Sequence, residues 1–188
     1  MYYNSIVIRK LLANEIIYLK EELAMNSLMW HDHDTNLNLT ALQDGKSIHL
    51  QWCNDRLNIT NDNWKVFPQT HQLLKSIVSN SCLGRVYWHR LLPGDTINPH
   101  TDANIPFVKS GVLQHRYQIY LDVDSDHQIV FDNKPVNGSD IANSIIDFPL
   151  RTMHHYINNS ALPLYLLVFD DISKSNIIIS KFSELLLI

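Results

Sequence analysis

The sequence has 188 residues, which is enough for one domain with a sizeable hydrophobic core. Hydrophobic residues make up 45% of it and charged residues 18%, a globular balance, and the net charge of −4 gives no basic surface for nucleic acid. The two cysteines, Cys53 and Cys82, lack CxxC spacing, which excludes a disulfide scaffold and a thiolate zinc finger.

Neither end of the sequence predicts export or a membrane span. Segment 1–23 has no long apolar core and no small-residue cleavage site. Segment 176–188 is apolar, but Lys181 and Glu184 interrupt it, and a bilayer span needs roughly 20 residues. We therefore expect a soluble, cytoplasmic protein without membrane or nucleic-acid partners, and the sequence does not predict its oligomeric state.

The first third of the chain predicts a helix followed by a loop. Ile16, Leu19 and Leu23 are spaced as on one face of an amphipathic helix over 13–25. The polar segment 31–47 predicts an irregular loop. Its His-Asp-His-Asp beginning is a second group of metal-ligand residue types, for which a solvated loop is the ordinary explanation.

A short strand and a second helix complete this N-terminal part. Residues 47–52 alternate between polar and apolar, as in a strand. The next helix opens with Pro68, and we expect its N-terminal cap near Gln69 or Thr70.

From Gly84 onward the pattern consists of short alternating segments separated by turns, which is typical of a β-sandwich or barrel. The predicted strands are 84–92, 96–100, 115–123, 127–133, 144–150, 152–160 and 162–171. We therefore expect a single domain over 1–188. An N-terminal part, 1–83, packs on a β core, 84–172, and a C-terminal extension covers 173–188.

His100 and Asp102 could supply two ligands of a metal site. Residues two apart in an extended segment project to the same side, and two histidines with one carboxylate form the facial triad of non-haem Fe(II) oxygenases. The third ligand would come from a distant strand, where His154 and His155 are candidates; because neighbours alternate, only one of them can point inward. A His-x-Asp pair alone is common in polar loops.

Three segments in a fixed order make a chance match improbable. They are WHRLLPGDTINPHTD (88–102), HRYQIYL (115–121) and IIDFPLRTMHHYINNSALPLYLLVFDD (145–171). Together, over about half of the chain, they resemble the aspartyl/asparaginyl β-hydroxylase family, which includes free-proline hydroxylases. The resemblance implies an Fe(II)- and 2-oxoglutarate-dependent dioxygenase, mainly β with N-terminal helices, folded as a double-stranded β-helix (a cupin-like jelly roll).

The resemblance also implies roles for individual residues. His100 and Asp102 would be the first two iron ligands. The family places an asparagine four residues after the distal histidine, which favours His154 because Asn158 follows at that distance. His155 is the second choice.

In the family, an Arg-x-His pair lines the pocket where this chain has Arg116 and Gln118. These two residues should share a face, and Arg116 is expected to bind a carboxylate of co-substrate or substrate through its planar pair of donors. The alternative for Arg116 is an ordinary surface charge on a strand. Gln118 can donate a hydrogen bond but carries no charge.

The chain departs from the family at the arginine that follows the distal histidine by ten residues and holds the far carboxylate of 2-oxoglutarate. The residue at that distance is Leu164 from His154, or Tyr165 from His155. A buried carboxylate without a partner is costly, so we expect His89 and Tyr165 to replace the arginine. Arg90 should lie on the face opposite His89.

The expected function is therefore hydroxylation of an amino acid, or of an Asp, Asn or Pro side chain of a peptide or protein, with Fe(II), 2-oxoglutarate and O₂. Two alternatives stay open. The missing arginine would also suit a cupin-like metal-binding domain without 2-oxoglutarate turnover, and a zinc or manganese cupin enzyme is a third possibility.

Overall fold

The computed structural model describes residues 6–32, 46–53, 59–60, 63–78, 83–102, 115–148 and 150–172. The predicted C-terminal extension, 173–188, lies outside the described residues, and so do the side chains of the His-Asp-His-Asp segment, 31–34.

The described chain contains three α-helices, one short 3₁₀ helix (Ser27–Met29) and twelve strands. The helices are α1 (Ala13–Met25), α2 (Pro68–Ile77) and the short α3 (Gly138–Ile141). The strands are β1 (Ile6–Lys10), β2 (His31–Asp32), β3 (Lys46–Cys53), β4 (Ile59–Thr60), β5 (Leu83–Leu91), β6 (Thr96–His100), β7 (His115–Leu121), β8 (His127–Phe131), β9 (Lys134–Val136), β10 (Ser144–Phe148), β11 (His154–Asn158) and β12 (Leu164–Asp171).

The strands form two antiparallel sheets. The large sheet has the order β1-β10-β7-β12-β5-β3-β2, and β4 pairs with β3. The small sheet has the order β6-β11-β8-β9. Since β3 pairs directly with β5, the N-terminal part of the chain extends the same sheet as the predicted β core.

Helices α1 and α2 cover the outer face of the large sheet. Leu19 and Leu23 of α1, with Leu73 and Leu74 of α2, are buried against this face, where Trp88 is fully buried. Burying each such side chain contributes roughly 1.5–3 kcal/mol, so this outer core stabilises the sheet on which the site is built.

The N-terminus of α2 is capped by a residue of α1. The buried Glu22 carboxylate accepts hydrogen bonds from the backbone N–H groups of Gln69 and Thr70, at 2.7 and 3.0 Å, and from the Thr70 hydroxyl. Trp88 donates to the same hydroxyl at 3.2 Å. The sequence predicted a cap near Gln69 or Thr70; the N-cap residue is Phe67, and the N–H groups of Gln69 and Thr70 are the capped donors.

The inner face of the large sheet packs against the small sheet and encloses a second core. Its fully or nearly fully buried residues come from both sheets, from α3 and from the segment after β7: Leu91, Ile97, Tyr120, Val123, Ile129, Phe131, Ile141, Ile146, Phe148, Tyr156, Leu164, Leu166 and Val168. Alternation along each strand therefore divides the large sheet into an outer, helix-facing set and an inner set of side chains.

Both predicted helices and all eight predicted strands are present, with ends that differ by a few residues. Four strands were missed or assigned to loops and turns: β1, β2, β4 and β9. The β8–β9 hairpin turns through Asp132 and Asn133, which both have positive φ as a two-residue type I′ turn requires. None of the helices in the described chain is long and apolar enough to cross a membrane.

Candidate metal centre

A β-bulge turns His100 toward the inner core. Where β6 pairs with β11, Ile97 lies opposite Tyr156 and His100 lies opposite His154, so three steps on β6 match two on β11. Because side chains alternate along a strand, the extra residue brings Ile97 and His100 to the same face. Pro99, which cannot donate to a ladder, lies in this stretch of an edge strand, where proline is tolerated.

Alternation along β11 selects His154 over His155. His154, Tyr156 and Asn158 are buried, whereas His155 between them is only partly buried. The structure thus places His154 beside His100, with ring centroids 4.1 Å apart. Asn158 holds the end of the strand, because its side-chain amide donates to the Leu91 backbone carbonyl at 2.9 Å.

Asp102 completes a group of three ligand residues. Its Oδ1 lies 3.9 Å from His100 Nε2, its Oδ2 lies 3.9 Å from His154 Nε2, and the three ligand atoms all lie within 4.8 Å of one another. Atoms bound to one ion at about 2.1 Å lie at most about 4.2 Å apart, so the cluster needs only a small contraction to hold a metal. Asp102 and His154 are buried, and the half-buried His100 lies on the solvent side.

Backbone carbonyls fix both imidazole rings with Nε2 facing the cluster. His100 Nδ1 lies 2.8 Å from the Asn98 carbonyl oxygen, and His154 Nδ1 lies 3.0 Å from that of Thr152. A carbonyl can only accept, so each Nδ1 carries the proton and each neutral ring presents a lone pair at Nε2. Burial lowers the pKa of His154 to about 4, which keeps this ligand neutral at physiological pH.

A buried row of alternating charges leads from Asp102 to the far edge of the site. Arg116 Nη1 lies 2.7 Å from Asp102 Oδ2. The same guanidinium donates to both carboxylate oxygens of Asp170, from Nε at 2.7 Å and from Nη2 at 3.1 Å. Arg85 Nε donates to Asp170 Oδ2 at 3.2 Å. Two arginines and two aspartates thus balance in charge.

This row keeps Asp102 ionised. Burial raises the pKa of Asp102, but the attraction of Arg116 and of the two histidines outweighs burial, and the pKa lies below its ordinary value. Burial likewise lowers the pKa of Arg116, but Asp102 and Asp170 raise it well above its ordinary value. The centre therefore offers one carboxylate and two imidazole Nε2 atoms, the donor set of a 2-His-1-carboxylate metal site.

Arg116 faces inward as predicted, and the surface-charge alternative is excluded because the residue is only 2% exposed. Its two-pronged contact is with Asp170, and its third nitrogen contacts Asp102. A contact with a carboxylate of co-substrate or substrate stays a prediction. The contact between Arg116 and Asp170 was not predicted from the sequence. Alternation along β12 puts Asp170 on the same inner face as Leu166, and this pattern could have indicated it.

Gln118 belongs to a second buried polar group, next to the ligands. The Tyr156 hydroxyl donates to Gln118 Oε1 at 3.2 Å, and the Tyr120 hydroxyl donates to the same oxygen. The two hydroxyl oxygens are 3.3 Å apart. Burial raises the pKa of both tyrosines far enough to keep them neutral. Tyr120 and Tyr156 were not among the predicted site residues, although each lies two residues from one of them.

The position of the missing arginine is occupied by the apolar core. Leu164 is fully buried among the inner-core side chains. His89 lies opposite Leu166 in the β5–β12 pairing, so it also faces the interior, and its Nδ1 is 2.8 Å from Ser47 Oγ. A contact between His89 and a co-substrate stays a prediction.

Tyr165 lies on the opposite face of the large sheet from His89. Its ring packs in the outer core, 5.9 Å from the Trp30 ring. The expectation that Tyr165 and His89 jointly replace the arginine was therefore wrong, because successive residues of β12 point to opposite faces. Arg90 lies opposite Tyr165 and over the Trp30 ring, on the face predicted for it.

The fold and the site together define a jelly-roll protein with a candidate 2-His-1-carboxylate metal centre. The family model described as Aspartyl/Asparaginyl beta-hydroxylase matches residues 15–171, and the chain belongs to this family. The match begins within α1, so it includes most of the N-terminal part, where sequence motifs alone gave no firm resemblance. No curated protein matches this sequence.

Solved structures share the fold. A 2OG-Fe(II) oxygenase family oxidoreductase from Burkholderia pseudomallei has a TM-score of 0.55 and 13% identity, over 85% of this chain and 78% of that one. A Cupin 2 conserved barrel domain protein from Salinispora arenicola has a TM-score of 0.33 and 14% identity, over 53% of this chain and 70% of that one. A predicted oxalate decarboxylase from Thermotoga maritima has a TM-score of 0.36 and 12% identity, over 68% of this chain and 80% of that one. The first likeness confirms the predicted jelly roll.

Proposed function

We propose that this protein is an Fe(II)- and 2-oxoglutarate-dependent dioxygenase that hydroxylates an amino acid, or an Asp, Asn or Pro side chain of a peptide or protein. The observation that carries the proposal is the cluster of His100, Asp102 and His154, whose two Nε2 atoms and carboxylate converge within 4.8 Å. Membership of the hydroxylase family supports the same chemistry.

The residues present suit a ferrous ion. His100, Asp102 and His154 would hold it on one face, and the bound ion would supply sites for a 2-oxo acid and O₂ and so couple oxidative decarboxylation to hydroxylation. The chain's own part is to keep His154 neutral, to keep Asp102 ionised through Arg116, and to surround the inner side of the site with apolar residues. Solvent and substrate would reach the ion past the half-buried His100.

The direct test uses iron-loaded protein without oxygen. Addition of 2-oxoglutarate is expected to produce the weak visible charge-transfer band of a chelated 2-oxo acid, and admission of air is expected to yield succinate. The matched variants are His154→Ala, which should lose iron, and His155→Ala, which should keep it, because only His154 faces the cluster. Iron loss in the His155 variant alone would overturn the ligand assignment.

A second candidate function is a cupin-like metal-binding domain without 2-oxoglutarate turnover. The buried Leu164, at the position where the resemblance predicts an arginine, favours it. Metal analysis of protein purified without air, followed by the same spectroscopic titration, separates the candidates. Bound iron with no band and no succinate would support the binding domain, and bound zinc or manganese would support a different cupin activity. We also propose a cytoplasmic location and a small amino acid or peptide as the partner.

A further inference from the structure

The polar group formed by Gln118, Tyr120 and Tyr156 lies one step deeper in the jelly roll than the ligands. On β11, Tyr156 is the next inward-facing residue after His154, and their rings are 5.7 Å apart. On β7, Gln118 is the next inward-facing residue after Arg116, which contacts Asp102. On each sheet, the polar group thus lies two residues further along the strand than the ligand cluster or its contact. The hydrogen bond between Tyr156 and Gln118 joins the two sheets across the interior.

This group is rich in donors that are now turned on one another. Both phenolic hydroxyls donate to a single acceptor, Gln118 Oε1. The same two hydroxyls could instead donate to a ligand bound in this part of the core. The set holds three donor groups, two O–H groups and one NH₂ group, on side chains that are each at most 2% exposed. Buried polar groups need hydrogen-bond partners, and Gln118 Oε1 is the acceptor that a bound carboxylate could replace.

No free arginine or lysine faces this depth within the described residues. The two buried arginines, Arg85 and Arg116, are engaged by Asp170 and Asp102, and Leu164 supplies no charge. An anion bound here would therefore be met by neutral hydrogen-bond donors rather than by an ion pair.

The separation matches the length of a short 2-oxo acid. Two residues along a strand span about 6.7 Å. An extended five-carbon chain is about 5 Å long between its end carbons, and the chelated end adds the length of a metal–oxygen bond. The last carbon of a five-carbon 2-oxo acid held at the ligand cluster would thus reach the level of Tyr156 and Gln118.

We propose that Tyr120 and Tyr156, oriented by Gln118, form the subsite for the far carboxylate of the 2-oxo acid. This inference rests on the proposed function and identifies the residues that select the co-substrate. The carboxylate would replace Gln118 Oε1 as the acceptor of the two hydroxyl protons. Each lost hydrogen bond to a charged group should weaken binding by about tenfold or more.

The test compares 2-oxoglutarate with 2-oxopentanoate, which has the same carbon chain but lacks the far carboxylate. Iron-loaded protein is titrated with each acid without oxygen, and the dissociation constants are obtained from the visible band. Tyr120→Phe and Tyr156→Phe should each weaken 2-oxoglutarate about tenfold and leave 2-oxopentanoate within about twofold. The ratio within one variant corrects for any partial loss of folded protein.

Two tyrosines on the outer face serve as controls. Tyr117 lies on β7 between Arg116 and Gln118 and packs in the outer core, as Tyr165 does on β12. Tyr117→Phe and Tyr165→Phe should leave the preference for 2-oxoglutarate unchanged.

The outcomes separate the subsite from the function. Two results would overturn the subsite alone. In the first, the wild type shows the band and prefers 2-oxoglutarate, but neither Tyr120→Phe nor Tyr156→Phe changes that preference. In the second, the wild type binds 2-oxopentanoate as tightly as 2-oxoglutarate. An iron-loaded wild type that shows no band with either acid would overturn the proposed function and the subsite with it.

Discussion

At the residue scale, the centre depends on a side chain that no ligand motif contains. Asp170 receives Arg116 through two hydrogen bonds and Arg85 through a third, so it fixes the guanidinium that contacts Asp102. Groups that orient a metal ligand typically affect metal affinity by 10- to 100-fold.

Asp170→Asn should therefore weaken Fe(II) or Co(II) binding by roughly tenfold, and should also destabilise the fold by about 3 kcal/mol, because it leaves buried arginine charge without its partner. Metal titration and urea unfolding measure the two effects. Asp147→Asn is the control, since the Asp147–His115 pair is about one third exposed and an exposed pair contributes less than about 1 kcal/mol. Equal behaviour of the two variants would contradict the assigned role.

His154 should make the stability of the metal-free protein depend on pH. Its pKa falls from an ordinary 6.5 to about 4 on folding because of burial. Between these values the unfolded chain binds a proton that the folded chain does not, so stability is highest above about pH 6.5 and decreases as the pH falls toward 4. The loss is on the order of 3 kcal/mol.

Urea unfolding in EDTA at several pH values from 4 to 7 should show this decrease for the wild type and a shallower one for His154→Asn. The control is His155→Asn, on the partly exposed side of the same strand, which should keep the wild-type slope. A wild-type slope in the His154 variant would show that other groups cause the decrease.

At the scale of elements, α2 depends on a residue 46 or more positions away in the sequence. Glu22 accepts from two N–H groups of the first turn of α2 and from the Thr70 hydroxyl, and it thereby joins the two helices that cover the large sheet. Glu22→Ala should destabilise the protein by about 2 kcal/mol, because it leaves buried donors unsatisfied. Glu21→Ala, at an exposed position of the same helix, should change stability by less than about 0.5 kcal/mol. Thermal or urea unfolding measures both changes in stability, and an equal loss in the two variants would contradict the capping role of Glu22.

Elements with strong local patterns could be predicted from sequence, and contacts between distant segments could not. The period of Leu19 and Leu23 sufficed for α1, and alternation correctly put Arg116 and Gln118 on one face. Alternation alone would have turned Ile97 and His100 to opposite faces, since a bulge depends on how two strands pair. For the same reason the Glu22 cap and the Asp170 contacts were not foreseen: each joins elements that only the fold brings together.

At the scale of the whole molecule, the centre joins the two sheets. His100 and His154 belong to the small sheet, whereas Asp102 is held by Arg116 of the large sheet. A bound metal would therefore link β6, β11 and, through Asp102 and Arg116, β7. Anything that binds the folded state alone stabilises it in proportion to the logarithm of its concentration over Kd.

Metal should therefore act as a global stabiliser. At about a thousandfold excess over Kd, Fe(II) or Co(II) should raise the free energy of unfolding by about 4 kcal/mol, and a chelator should reverse the gain. Asp102→Asn should abolish most of it, because a neutral amide replaces the anionic ligand while the volume of the side chain is kept. His155→Ala should retain the full gain, since that side chain lies on the other face of β11. A gain that survives in Asp102→Asn would place the stabilising metal at another site, because the link between the sheets through Arg116 requires the carboxylate of residue 102.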